Sequence, residues 1–184
     1  MKATEILMDE HTVILRVIAT LETAAQRVEQ GQAVRPGFFV DAADFIKGFA
    51  DGCHHKKEEG VLFKAMADSG MSLQAGPIAV MLMEHEQGRT FTRAMRQAAE
   101  HLQAGDGSAR QALIASARGY AALLTQHIAK ENGILFPMAD RVIPPDKQGQ
   151  VTLDFEHIEH EETGAGVHEK YLALAESLEK EMQD

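Results

Sequence analysis

Residues 54–63 read HHKKEEGVLF, and residues 127–136 read HIAKENGILF. A second matching pair lies upstream, LMDEH at residues 7–11 and MLMEH at residues 81–85, at nearly equal distances before the first pair. The chain therefore contains an internal repeat of two similar helical hairpins. Because such repeats place equivalent residues face to face in a bundle, the repeat predicts one site shared between the two halves.

The composition around these repeats favours an all-α fold. Good helix formers such as Ala, Leu, Glu and Lys dominate the 184 residues, and Val and Ile form no alternating runs. Pro77 suits a first helical turn, and Ser108 suits a helix cap. Breaks rich in Gly and Pro divide the chain into predicted helices over Ala3–Gln30, Phe38–Asp68, Pro77–Ala104, Ser108–Asp140 and Lys147–Asp184.

Four long helices with short connections pack most simply as an up-down-up-down four-helix bundle. We therefore expect a single domain over residues 1–184, which is long enough to bury a hydrophobic core. Residues 1–140 are predicted to form the bundle, and residues 145–184 an additional C-terminal helix.

Charge and composition exclude several classes of partner. A formal net charge of −10 disfavours nucleic acid and anionic lipid. No apolar run approaches the roughly 20 residues that span a bilayer, and the stretch after Lys2 does not read as a signal peptide. The single cysteine, Cys53, forms no intrachain disulfide. We expect a reduced, cytoplasmic protein, and its oligomeric state stays open.

The spacing of histidine and glutamate within the repeat predicts a metal site. Residues four apart share one helix face, so His54 with Glu58, and His127 with Glu131, each present a nitrogen and a carboxylate together. The upstream stretches add one imidazole from each of two further helices. Carboxylates and imidazoles suit first-row transition metals. The predicted ligands are His11, His54, Glu58, His85, His127 and Glu131.

The doublet of histidines introduces an ambiguity, because His55 and Glu59 are also four residues apart. The repeat resolves it, since the Gly-x-Leu-Phe runs match only when His54 and Glu58 are equivalent to His127 and Glu131. In that register His55 is equivalent to Ile128 and is predicted to point about 100° away from His54. Glu59 is equivalent to Asn132 and need not bind a metal.

In these motifs the chain resembles the hemerythrin-type cation-binding proteins, which are named for His-His-Glu motifs. The resemblance covers about residues 1–140, and the run 135–137 (LFP) is a further family feature. It implies a non-haem diiron centre in a four-helix bundle. Each iron would be capped by two histidines, His11 with His54 and His85 with His127. Two carboxylates, Glu58 and Glu131, would bridge the irons, with an oxo or hydroxo group completing the bridge.

Two departures from the family argue against simple reversible oxygen carriage. The oxygen-carrying members have His-x-x-x-His in the third helix, whereas this chain has Met81 at the first of those positions. The fourth-helix acid is usually Asp five residues after its histidine, whereas here Glu131 follows His127 by four. A site with fewer protein ligands has open positions for water, peroxide or NO.

Three functions stay open at this point. The first is a protein that binds or senses O2 or NO, or that handles iron. The second is a diiron enzyme that decomposes peroxide or reduces NO. The third is a structural zinc site, and spacing alone does not separate iron from manganese or zinc. The expected partner of the first two is a small diatomic or peroxide ligand.

Several other residues allow two interpretations each. Cys53 is an ordinary buried residue or a redox group, and Tyr120 packs in the core or donates a hydrogen bond near the site. Glu10 and Glu84 accept bonds from imidazole N–H groups or lie on solvated flanks, and His101 is expected on the surface.

The last predicted helix carries a third spaced pair, His157 with Glu161, and Gly164 and His168 extend the same face. This helix either covers the open metal positions as a lid or packs as an acidic amphipathic helix outside the bundle. Its charge density favours the second interpretation.

Overall fold

The structure, a computed structural model, describes residues 1–164 and 166–183. Within this part of the chain the backbone is helical and forms no strand, which confirms the all-α prediction. The α-helices are α1 (Ala3–Glu29), α2 (Pro36–Phe45), α3 (Phe63–Asp68), α4 (Gly76–Gln103), α5 (Arg110–Lys130), α6 (Phe136–Val142), α7 (Pro145–His157) and α8 (Val167–Gln183).

Among the residues that the structure describes, four π-helical segments interrupt or extend these helices: Ile46–His55, Glu58–Leu62, Glu131–Leu135 and Ile158–Gly164. The first two join α2 to α3, and the third joins α5 to α6, so two long helical runs contain the repeated stretches 54–63 and 127–136. A π-helical turn bonds i to i+5 and is often found at functional sites. Its wider turn changes the direction of side chains from that expected in a regular α-helix.

Two predicted helix boundaries are wrong. Ser108 is not a helix cap, because a 3₁₀ turn over Gly107–Ala109 precedes α5 and the Asp106 side chain accepts the Ser108 N–H. The last predicted helix is not continuous. Positive φ angles of 103° at Gly164 and 79° at Gly166 separate the π-helical segment from α8, and glycine adopts this conformation at little cost.

The apolar core forms two layers with the histidines between them. The larger layer includes Ile14 and Phe49, and the smaller layer includes Leu7 and Phe63. On α1, His11 lies between Leu7 and Ile14, and α4 repeats this order around His85. The fold therefore encloses a polar layer between two apolar ones.

The C-terminal elements pack against this core. Helix α8 lies against α1 and α2. Within the core itself, α4 contacts α5 and α2, and α1 contacts α5. Gly48 permits one close approach, since a Cβ atom there would fall 1.9 Å from Cζ of Tyr171 on α8. No helix in the described ranges has both the length and the apolar composition needed to cross a membrane.

Candidate metal centre

The six predicted ligands lie together in the polar layer, in two groups that share one carboxylate. In the first group, one ligand atom from each side chain lies within 4.8 Å of the others. The members of this group are His11, His54, Glu58 and Glu131. Helix α1 and both long helical runs contribute to it, so residues far apart in sequence converge as the repeat predicts.

The second group meets the same distance criterion and contains His55, Glu58, His85 and His127. The expectation that His55 points away from the site is therefore wrong. Its ring stacks on that of His85, with centroids 3.9 Å apart and an interplanar angle of 17°. His55 ends the π-helical segment Ile46–His55, where the 100° step of a regular α-helix does not apply. Sequence reasoning based on ideal helix geometry missed this residue.

All five imidazoles are held from outside by a bond at Nδ1. His54 meets a carboxylate oxygen of Glu10 at 2.8 Å, and His127 meets one of Glu84 at 2.8 Å. These contacts confirm the interpretation of both glutamates as acceptors for imidazole. The remaining three pairs are His11 with Asn132 at 2.8 Å, His55 with Asp51 at 2.8 Å and His85 with Glu59 at 2.7 Å. An Nδ1–H that donates outward leaves Nε2 free to bind a metal, the usual arrangement of metal-bound histidine.

The outer carboxylates are in turn paired with cations. Lys57 Nζ lies 2.5 Å from Glu10, and Arg89 lies 2.6 Å from Glu59. Lys130 is paired with Glu84 at the equivalent position of the second repeat. The repeat thus extends beyond the six predicted ligands, because each half contains a His–Glu–Lys relay. These outer pairs fix the acceptors that orient the imidazoles.

Most of the polar atoms that point into the centre lack a hydrogen bond, although Nε2 of His85 lies 3.0 Å from Nε2 of His127. Both carboxylate oxygens of Glu58 and of Glu131, and Nε2 of His11 and His54, have no hydrogen-bond partner among residues 1–164 and 166–183. All seven clustered residues are at most 3% exposed. Imidazole nitrogens lie beside the carboxylates, 3.2 Å from Glu131 at His11 and 3.4 Å from Glu58 at His85. Buried carboxylates cost several kcal/mol each unless a cation, either an imidazolium or a metal ion, compensates their charge. The donor set therefore fits a pair of metal cations.

The inner carboxylates strongly affect the imidazole pKa values. Burial favours neutral His85, but the nearby carboxylates of Glu131, Glu58 and Glu59 outweigh it and raise the pKa of His85 well above its usual range. Burial, together with the neighbouring imidazoles, lowers the pKa of His55 well below its usual range. A proton on His85 and a metal ion at the same nitrogen therefore compete for these carboxylates.

The family profile described as Hemerythrin HHE cation binding domain matches residues 2–139. The chain belongs to the hemerythrin HHE family. Three curated relatives of this hemerythrin chain are uncharacterized proteins, two from strains of Mycobacterium tuberculosis and one from Mycobacterium bovis. Each is 23% identical over 180 residues, which cover 98% of this chain and 70% of the relative. No solved structure matches the chain significantly.

Met81, which departs from the pattern of the oxygen-carrying hemerythrins, and His55 affect the same candidate group. Met81 is buried in the smaller apolar layer, so α4 contributes His85 without a histidine one turn earlier. His55 joins the same group from the neighbouring helical run. The second group therefore contains three imidazoles, although α4 contributes only one of them.

The remaining candidates have simpler surroundings. Burial raises the pKa of the Cys53 thiol to about 11, which favours an ordinary buried residue over a redox group. Tyr120 packs in the larger apolar layer, and its hydroxyl has no hydrogen-bond partner among the described residues. His101 is on the surface as expected, with its side chain 55% exposed.

The C-terminal segment lies outside the two candidate groups of ligands. Phe155 and Ile158 are buried, and Ala175 of α8 joins the larger layer. The Glu161 side chain lies outside the described residues, and the break at Gly164 removes the continuous face expected between Gly164 and His168. Apolar packing against the bundle favours the amphipathic interpretation over a lid.

Proposed function

We propose that this hemerythrin-family chain holds a pair of iron ions and uses them to bind or sense O2 or NO, or to handle iron. One observation carries the proposal. Two buried groups of nitrogen and oxygen donors share Glu58, and every imidazole in them is oriented from outside by a bond at Nδ1. This arrangement has the donors and the outer support that a binuclear carboxylate-bridged site requires.

The proposed ligands include one more residue than the sequence predicts. His11 and His54 would hold one ion, and His55, His85 and His127 the other. Glu58 would bridge the two, and Glu131 supports both, since its oxygens lie 3.2 Å from Nε2 of His11 and 3.1 Å from Nε2 of His127. Imidazole and carboxylate without thiolate suit iron, and manganese is an alternative.

When bound, an iron pair supplies redox chemistry and positions that small molecules can occupy. The protein would neutralise the charge of this iron pair and shield the pair from bulk water. Glu58 and Glu131 balance its charge, while Phe136 stacks on His11 at 5.4 Å and Phe63 stacks on His85 at 6.0 Å. These rings exclude bulk water from both sides. The His11–His54 side has one imidazole fewer than the other side, so we expect exogenous ligands to bind there.

Around the centre we expect an up-down-up-down four-helix bundle over residues 1–140, with residues 145–184 appended in a single domain. A single buried cysteine fits a reducing compartment, so we expect the protein in the cytoplasm. The expected partner is a small diatomic or peroxide molecule.

A structural zinc site is the second candidate, because each group presents four donors and structural zinc is four-coordinate. Zinc also binds nitrogen and oxygen donors more tightly than iron(II) does, so metal content in a zinc-rich buffer would be misleading. The shared carboxylate favours a binuclear centre over two independent sites. The two candidates differ in whether the loaded protein responds to oxidants.

The experiment is anaerobic loading with iron(II), followed by metal analysis and optical spectra before and after O2, NO or peroxide. The proposal expects two irons per chain and new visible absorption on oxidation. Stable adducts support a binding or sensing role, whereas repeated peroxide consumption supports an enzyme. His101→Ala is the matched control, because it removes an exposed imidazole. Zinc retention without an oxidant response would overturn the iron assignment.

A further inference from the structure

Lys57 places a buried positive charge beside the candidate metal centre. Its side chain is 0% exposed, although lysine is rarely buried unless it is paired. Its Nζ donates to Glu10 at 2.5 Å and to Glu159 at 2.7 Å. Two carboxylates from distant parts of the chain therefore hold this ammonium group in place.

These contacts connect the C-terminal segment to a candidate ligand. Glu159 lies in the π-helical segment Ile158–Gly164, and the family match ends at residue 139. Lys57 links Glu159 to Glu10, and Glu10 meets Nδ1 of His54 at 2.8 Å. Two side chains, Lys57 and Glu10, thus connect the His54 imidazole to Glu159, which lies outside the matched region.

The second repeat has the equivalent relay, but its lysine is not buried. Glu84 meets Nδ1 of His127 at 2.8 Å and is paired with Lys130. The Lys130 side chain is 38% exposed, so water solvates its ammonium group. The two relays therefore start from repeat-equivalent residues but differ in how firmly the lysine is fixed.

The cluster of Glu10, Cys53, Glu159 and His168 could hold a metal ion by the distances between its atoms. The Lys57 ammonium already lies against both of its carboxylates. A resident cation within hydrogen-bond distance of both carboxylates indicates an anchoring role for this cluster.

We propose that Glu159 is a positioning residue for the metal centre, which holds Lys57 against Glu10 and thereby fixes the His54 imidazole. The part of this proposal that concerns iron binding rests on the proposed function. Loss of an outer hydrogen-bond partner of a ligating histidine typically weakens metal binding by about 10–100-fold. Since Glu159 acts two contacts further out than Glu10, we expect a smaller effect, about 3- to 10-fold faster loss of one of the two irons in Glu159→Gln.

The test compares Glu159→Gln with Glu156→Gln, which removes the same charge from an exposed position on α7. The first readout uses the metal-free chain at fixed pH, where imidazole ¹⁵N resonances report the bond at Nδ1. We expect the His54 resonance to change in Glu159→Gln, the His127 resonance to stay, and Glu156→Gln to leave both unchanged. This readout separates failure of the inference from failure of metal binding.

The second readout is the rate at which a chelator removes iron from the loaded protein. Since Glu159 acts through Lys57, its substitution should have no further effect in a Lys57→Met background. Thermal melting of each metal-free variant verifies folding. The inference is overturned if folded Glu159→Gln keeps the wild-type His54 resonance and release rate, or if its effect persists when Lys57 is Met.

Discussion

Replacing His55 by Ile tests whether the second group needs its unexpected member. Ile stands at the equivalent position of the second repeat, as Ile128, so the change restores the symmetry of the sequence. His55 is one of four donors in its group. Since loss of an outer-sphere group already costs about 10–100-fold in affinity, we expect loss of a direct donor to cost at least about 100-fold. This equals about 2.7 kcal/mol at 1.36 kcal/mol per tenfold.

The stability of the metal-free chain should change little in the same variant. The lowered pKa keeps His55 neutral at pH 7, so no buried charge is removed. The lost bond to Asp51 is worth about 1 kcal/mol, and burying an aliphatic side chain in its place offsets it. Asp51 keeps Arg89 Nε at 3.4 Å.

The assay is competitive titration of iron(II) against a chelator, with melting curves of the metal-free and loaded forms. We expect one of the two irons to be weakened and the metal-free melting temperature to stay near that of wild type. His101→Ile serves as the control, because its side chain is exposed. Wild-type affinity for two irons in His55→Ile would refute its role as a donor.

Three further predictions follow from the same geometry. Glu58→Gln should abolish binding of both ions, since Glu58 belongs to both groups, and metal analysis that finds one full site would contradict this. Metal binding at pH 7 should release protons, because the raised pKa of His85 keeps its imidazole protonated in the metal-free chain. The protonated His85 stabilises the metal-free fold fully below about pH 6.5, and this stabilisation is lost as pH rises through the raised pKa. Calorimetry in two buffers of different ionisation enthalpy measures that release, and equal heats would contradict it. Gly48→Ala should destabilise the fold by about 1–3 kcal/mol, because its Cβ would overlap the Tyr171 ring; denaturant unfolding measures the loss.

Sequence spacing could predict that the six candidate residues lie together, because their spacing follows rules that survive folding. The i, i+4 spacing of His54 with Glu58 holds across the start of a π-helical segment, as the two side chains still lie 3.6 Å apart. The repeat then supplied the long-range information that one helix cannot contain. Matching His127 to His54 predicted which separate segments would meet.

The same rules fail where the helix is not regular. His55 was assigned by the angular step of an α-helix, but it ends a π-helical segment whose hydrogen bonds span five residues. A signal was present in the sequence, since the His54–His55 doublet coincides with a histidine missing at Met81. The position of Glu159 could not be predicted, because its contact with Lys57 depends on how the C-terminal segment packs.

The most direct test is a crystal structure of the iron-loaded protein with diffraction collected at the iron absorption edge. The account predicts two anomalous peaks, one against His11 and His54 and one against His55, His85 and His127, with Glu58 contacting both. A single peak, or peaks only at other side chains, would contradict it.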